Sequence, residues 1–134
     1  MKKLIGATVL TIFAGVAAAH HSFAMFDFTR EMTLQGTVKE FLWRNPHVFI
    51  QLLVPAQGGA SEEWSIEMNT PVDLARNGWL PGSLKAGQKV TLVIHPLKDG
   101  RRGGNCVSAM DEDGKMIGNP LPGPKAVAAG GSRP

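Results

Sequence analysis

One helix start interrupts a chain that otherwise alternates, and its position limits the folds available. In Thr70-Pro71-Val72-Asp73, Thr stands at N-cap, Pro at the first helical position and Asp two residues later, close to a capping box. Asn77-Gly78 supplies a left-handed stop soon after, so the helix has two turns at most, pinned by Trp79 and Leu80. On both sides of it apolar residues recur at every second position. In residues 32–44, Met32, Leu34, Gly36 and Val38 alternate with Thr33, Gln35, Thr37 and Lys39, the period of a half-buried strand. Gly36 inside that run suggests a bulge or sharp bend of the kind a closed barrel needs. Asn45-Pro46 turns the chain into a second, nearly continuous apolar strand over residues 47–54. Residues 55–61 form a Gly-containing hairpin loop. Residues 62–68 make a third strand, with Trp64, Ile66 and Met68 opposed to Glu63, Ser65 and Glu67. Beyond the helix, residues 89–97 set Val90, Leu92 and Ile94 against Thr91, Val93 and His95. A fifth strand follows near residues 103–110, and Glu112-Asp113-Gly114 makes a tight hairpin to residues 115–117.

Three strands, a short helix and two more strands is the order of elements of an OB-fold, a small Greek-key barrel. A β-sandwich competes but usually has more strands. The expectation is therefore an all-β domain: an OB-like β-barrel of about five strands with one short helix over residues 32–117. Trp64, Ile66, Val90, Leu92 and Ile94 should share its core. Residues 20–31 read as an N-terminal arm. Residues 118–134, rich in Pro, Gly and Ala, read as a disordered tail.

Lys2 and Lys3, the uncharged apolar run of residues 4–16 and Ala17-Ala18-Ala19 form the three-part pattern of a secretory signal. The apolar run is too short to span a hydrocarbon core of about 30 Å, so no stable membrane span is expected after cleavage. The favoured cut follows Ala19 and makes residues 1–19 the signal peptide; cuts after Ala18, Ala17 or Ala24 are alternatives. The product is expected to be periplasmic or secreted. Losing Lys2 and Lys3 leaves twelve basic against eleven acidic side chains. A near-neutral exported domain lacks the electrostatic footprint of a nucleic-acid binder, and none is expected as a partner. The single cysteine, Cys106, closes no internal disulfide and alternates into a strand, as a packed thiol does.

Four histidines are the candidate chemistry: His20, His21, His47 and His95. The favoured cut makes His20 the first residue. Its α-amino group and ring nitrogen can then hold one metal together, and a further imidazole completes a T-shaped nitrogen set. A cut one residue earlier places His21 third, and a cut after Ala17 places His20 third. Either arrangement gives a square-planar set of amine, backbone amides and imidazole. All three suit Cu(II), which favours nitrogen ligands in tetragonal geometry. His47 enters a strand after Asn45-Pro46 and His95 precedes Pro96 near a strand end, each also placed to fix local structure by a hydrogen bond. Spacing does not tell whether either reaches the N-terminus. Glu63 and Glu67 read as a solvated strand face, the basic and Gly-rich residues 98–104 as a hairpin loop, and the three tryptophans as packing residues. No serine lies in a nucleophile-elbow motif, and Asp111, Glu112 and Asp113 are not followed by EF-hand spacing.

The His20-His21-Ser22-Phe23 start, Gly36-Thr37-Val38, Trp43-Arg44-Asn45-Pro46-His47, Trp64-Ser65-Ile66-Glu67, Arg76-Asn77-Gly78-Trp79 and the segment from Gly87 to His95-Pro96 resemble a family of small exported bacterial proteins of uncharacterised function. The resemblance spans about residues 20–110. It implies a periplasmic domain and supplies no activity or cofactor. The resulting expectation is a periplasmic, non-enzymatic binding protein that takes copper through the processed N-terminal histidines. The alternative is a metal-free module of the envelope whose partner is a protein or a glycan. An enzyme would need a third metal ligand and an open coordination position.

Overall fold

The computed structural model describes residues 23–123. The expected signal segment, His20, His21 and the last residues of the tail lie outside them. A 3-10 turn at Phe23–Met25 precedes β1 (Met32–Leu42), β2 (Phe49–Pro55), β3 (Ser61–Glu67), α1 (Pro71–Arg76), β4 (Lys89–Pro96) and β5 (Gly103–Asp111). The strands close into a barrel in the order β1-β2-β3-β5-β4, with β1 returning to β4. All pairs are antiparallel except β3 with β5. This is the OB-like topology that the element order implied.

β1 closes the barrel because it pairs twice. Its first half runs against β4 (Met32↔Ile94 to Thr37↔Lys89), and its second half against β2 (Thr37↔Leu53 to Leu42↔Phe49). Gly36 sits at the changeover. A Cβ there would lie 2.5 Å from the Leu53 carbonyl oxygen and 2.9 Å from Leu52 Cγ, so only glycine lets the two backbones approach. The register slip expected at Gly36 falls instead between Val38 and Glu40. Glycine serves the close approach, and the bulge bends and further twists the strand a few residues later.

The interior is filled by Val38, Ile50, Leu52, Ile66, Leu92, Ile94 and Cys106, all fully buried. Ile66, Val90, Leu92 and Ile94 share that core as expected, whereas Trp64 is only partly buried and packs against it. Burial pushes the Cys106 thiol up to about 12, which leaves it protonated and inert as a packed core group. The Thr70 hydroxyl accepts from the Asp73 N–H, and Gly78 takes φ 78° just past the helix end, so the start and stop signals act as their chemistry predicts. Leu74 and Trp79 are buried, but Leu80 is 63 % exposed and pins nothing.

The tail expectation needs correction at its start. β3 and β5 pair over only Ser65↔Gly103, Ile66↔Gly104 and Glu67↔Asn105, which leaves the later half of β5 without a strand on that side. Residues 117–121 supply the donors: Ile117 N–H donates to the Ala109 carbonyl at 2.9 Å and Leu121 N–H to the Val107 carbonyl at 2.7 Å. Leu121 is 5 % exposed, Trp79 Nε1 donates to the Asn119 carbonyl, and Gly118 lies directly against the Trp79 ring. A proline- and glycine-rich composition hid a segment that satisfies an open strand edge. Gly103 and Gly104, where the loop reading of residues 98–104 overlaps the expected fifth strand, are strand residues. A Cβ on Gly103 would meet the Ser65 carbonyl of β3 at 3.0 Å and one on Gly104 the His95 carbonyl of β4 at 2.6 Å, so the two glycines let β5 lie close to the strands on both sides.

Candidate functional site

The chemistry-bearing residues gather on the outside of the barrel, along one row across four strands. Phe49, Glu67, Asn105 and His95 are successive register partners through β2, β3, β5 and β4. Their chain neighbours Ile50, Ile66, Cys106 and Ile94 point inward, so the alternation turns the row outward. An outward Glu on a barrel strand is ordinarily solvated, yet Glu67 is 8 % exposed and Asn105 3 % exposed. Glu67 is therefore not the solvated carboxylate that strand alternation suggests. Glu63, four residues earlier, is exposed and pairs with Lys39 at 2.7 Å.

The loop between β1 and β2 contributes the burial at one end of the row. His47 precedes inward-facing Val48, whose N–H donates to the Asn69 carbonyl. That pairing places His47 diagonally beside Glu67, and the His47 Nδ1–H donates to Glu67 Oε1. The Asn45-Pro46 peptide bond before it is cis. Arg44, Asn45, Pro46, His47, Phe49 and Glu67 line a cavity of about 330 Å³. On the other side of Glu67, Asn105 Nδ2 donates to the Glu67 carbonyl at 3.4 Å. A second groove of about 340 Å³ lies over Gly36 between β1 and β4, beside Lys89 and Glu112, and no histidine lines it.

The N-terminal arm forms the other end. Asp27 N–H donates to the Pro96 carbonyl at 2.8 Å, Lys98 N–H to the Met25 carbonyl at 2.9 Å, and Phe26 bridges to Leu97 and is buried. Asp27 organises the turn that follows. It accepts from the Thr29 hydroxyl at 2.6 Å and from the Thr29 N–H at 3.1 Å, and the hydroxyl bond foremost holds its carboxyl below the usual range. The turn delivers the Arg30 carbonyl to His95, whose Nδ1–H donates to it at 2.8 Å. The Phe28 ring stands edge-on to the imidazole with centroids 4.9 Å apart, and Phe23 packs on Phe28 at 6.2 Å.

The structure thus separates the two strand histidines. His47 belongs to the β1–β2 loop and Glu67; His95 belongs to the arm. Across the row, Glu67 and His95 stand two strand spacings apart, roughly 10 Å. His20 and His21 lie outside the described residues. Among the described residues, no three His, Cys, Asp or Glu side chains stand together as a metal-binding group. Each described histidine nevertheless has its Nδ1 engaged with an oxygen, a carboxylate for His47 and a carbonyl for His95, as the far nitrogen of a metal-ligating imidazole commonly does. Strand periodicity carried no signal for the buried Glu67 and Asn105, because they are covered by segments distant in sequence.

Among the described residues, no helix is long and apolar enough to cross a membrane. A crystal structure of a mitochondrial single-stranded DNA-binding protein from S. cerevisiae is similar over 67% of this chain and 96% of that chain, at 12% identity and a TM-score of 0.44. No curated protein matches the chain. A family model matches residues 9–106, and the chain belongs to that family, DUF6152, a family of unknown function.

Proposed function

We propose that this is an exported, periplasmic binding protein that takes Cu(II) at its processed N-terminus and catalyses no reaction. The observation that carries the reading is the fastening of the arm. Two histidines at the head of a loose leader would have little reason to select a metal. Here the chain from Phe23 onward is tied to the β4–β5 hairpin by backbone hydrogen bonds and by a buried phenylalanine. The arm from Phe23 onward is therefore part of the folded domain, which supports a reading in which ligands that precede it work beside that domain. The α-amino group, whose pKa is about 7.7–8.0 in peptides, gives up its proton to copper at neutral pH. His20 and His21 supply imidazoles beside it.

The test uses protein processed in the periplasm, because a retained Met or a tag blocks the amine. Wild type should show a nitrogen-rich tetragonal Cu(II) signal by electron paramagnetic resonance, and the double variant His20→Ala, His21→Ala should lose it. Equal copper binding by the two would end the metal reading. The cavity at Arg44, His47 and Phe49 then favours the second one, a metal-free module for a protein or glycan partner. Shifts of the Phe49 and His47 resonances on adding oligosaccharide would support that second reading.

A further inference from the structure

We infer that the cavity between the β1–β2 loop and β3 holds one ring of a neutral oligosaccharide, whose chain continues along the outer face of β2 and β3. The inference rests on the second reading above, of that cavity as a docking place, and names its ligand. The first ground is a carboxylate held in place and only half used. Glu67 is 8 % exposed and lines the cavity of about 330 Å³. Its Oε1 accepts from the His47 Nδ1–H, and its backbone carbonyl accepts from Asn105 Nδ2. Its Oε2 receives no hydrogen bond from any described residue. A buried acceptor is ordinarily satisfied, so a fixed one without a donor is set for a donor from outside the protein.

The second ground is what stands around it. Arg44 and Asn45 line the same cavity, and neither side chain makes a hydrogen bond or ion pair among the described residues. A carboxylate only accepts, a guanidinium only donates and an amide does both. A hydroxyl group donates and accepts, so a ring bearing several hydroxyls can serve all three. Pro46 and the half-buried Phe49 give the cavity apolar surface, on which the C–H face of such a ring can lie. The third ground is charge. The Glu67 carboxylate disfavours a phosphate or other acidic ligand, and the Arg44 guanidinium disfavours a cation. A neutral, hydroxyl-rich ligand meets neither repulsion. The fourth ground is continuity. Beyond Phe49 and Glu67, the next outward pair across the two strands is Gln51 and Ser65, where Gln51 Nε2–H donates to Ser65 Oγ at 3.1 Å. Leu53 and Glu63 follow, and Glu63 is already paired with Lys39. Phe49 to Leu53 makes a track of about 13 Å, longer than one sugar ring. A small zwitterion would match the two charges at the cavity, but it would leave the amide and hydroxyl of this track unused.

The experiment titrates the processed, isotope-labelled protein and follows its amide resonances. The probes are neutral trisaccharides of glucose, galactose, mannose and N-acetylglucosamine, with inorganic phosphate, trilysine and glycylglycine as charged comparisons. At least one trisaccharide should give saturable shifts at Phe49, Gln51, Ser65 and Glu67, and the charged probes none. Glu67→Gln and Arg44→Gln should each weaken that trisaccharide about tenfold, while Lys89→Gln, in the groove over Gly36, stays within about twofold of wild type. Should Glu67→Gln fail to fold, Arg44→Gln decides, since Arg44 is exposed and bonds to no described residue. Unchanged affinity in Arg44→Gln, or shifts confined to the Gly36 groove, would overturn the inference. Phosphate, trilysine or glycylglycine saturating the cavity in place of sugar would also overturn it and leave the cavity a docking place. No saturable shift with any probe at about 10 mM would remove the inference together with the glycan reading. The double variant His20→Ala, His21→Ala should bind the trisaccharide as wild type does, so this inference and the copper reading fail separately.

Discussion

The inside and the outside of this barrel are held together by different means. Inside, Ile50, Leu52, Ile66, Leu92 and Ile94 interlock as apolar side chains at every second position, and their type alone places them there. Outside, along the β2–β3–β5–β4 row, the buried groups are a carboxylate, an amide and a partly covered imidazole, and they stay buried because a loop and the arm lie over them. The interior is stabilised by area removed from water. The outer layer is stabilised by partners for groups that would otherwise lose their hydration. Interior positions should therefore respond to volume, and outer positions to hydrogen-bonding capacity.

Trp79→Ala should do the largest damage. It empties the largest buried side chain and removes the Nε1 bond to Asn119, at a cost of about 3–5 kcal/mol, read as a fall in denaturation midpoint with unchanged m-value. Truncation after Ile117 comes next. It exposes the β5 edge and removes Leu121 from the core, for a loss of about 2–3 kcal/mol. An unchanged melting temperature would return residues 118–121 to the status of a free tail. Glu67→Gln, which keeps shape and hydrogen bonding but removes the charge facing His47, should cost about 1–2 kcal/mol; Glu67→Leu, which cannot pair, should cost more despite its greater hydrophobicity. If Glu67→Leu were the more stable of the two, the contrast between the layers would be wrong.

The smallest effect concerns the arm alone. The Asp27 carboxyl is held below its unfolded value, so its contribution is present at neutral pH and is lost as pH falls through its native pKa, below about 3.9. Acidification into that range should release the arm, seen as faster exchange of the Asp27 and Lys98 amides, before the barrel melts. Asp27→Ala should show the same release at neutral pH.

The same division explains what could be read from the residues. The strand segments, the Thr70-Pro71 helix start and the packing of Cys106 were legible, because each depends on local pattern or on one residue's chemistry. Glu67 was not, because period-two alternation assigns a face and says nothing about what later covers it. Residues 118–121 were misjudged for a related reason. Pro, Gly and Asn lack apolar area, but the open edge of β5 needs backbone N–H donors, which composition does not count. Gly103 and Gly104 fell where a loop reading and a strand reading overlap, because a glycine pair signals a turn in isolation, and only the β3 and β4 backbones on either side show that the space is needed. The histidines were found as residue types. The division of His47 from His95 came only with the register that sets them at opposite ends of a row.

The brevity of the β3–β5 pairing also bears on how the molecule breathes. β2 and β3 share seven register pairs and β1 and β4 share six, whereas β3 and β5 share three. A closed cylinder parts first at its shortest seam, and here residues 117–121 act as a latch beside it. When the latch lifts, Ser65 N–H, which donates to the Arg102 carbonyl, should become the first strand amide in β3 to meet solvent, while the β1–β2 amides stay closed until global unfolding. The row of outer groups crosses this seam between Glu67 and Asn105, so each opening event would also move His47 and His95 relative to one another.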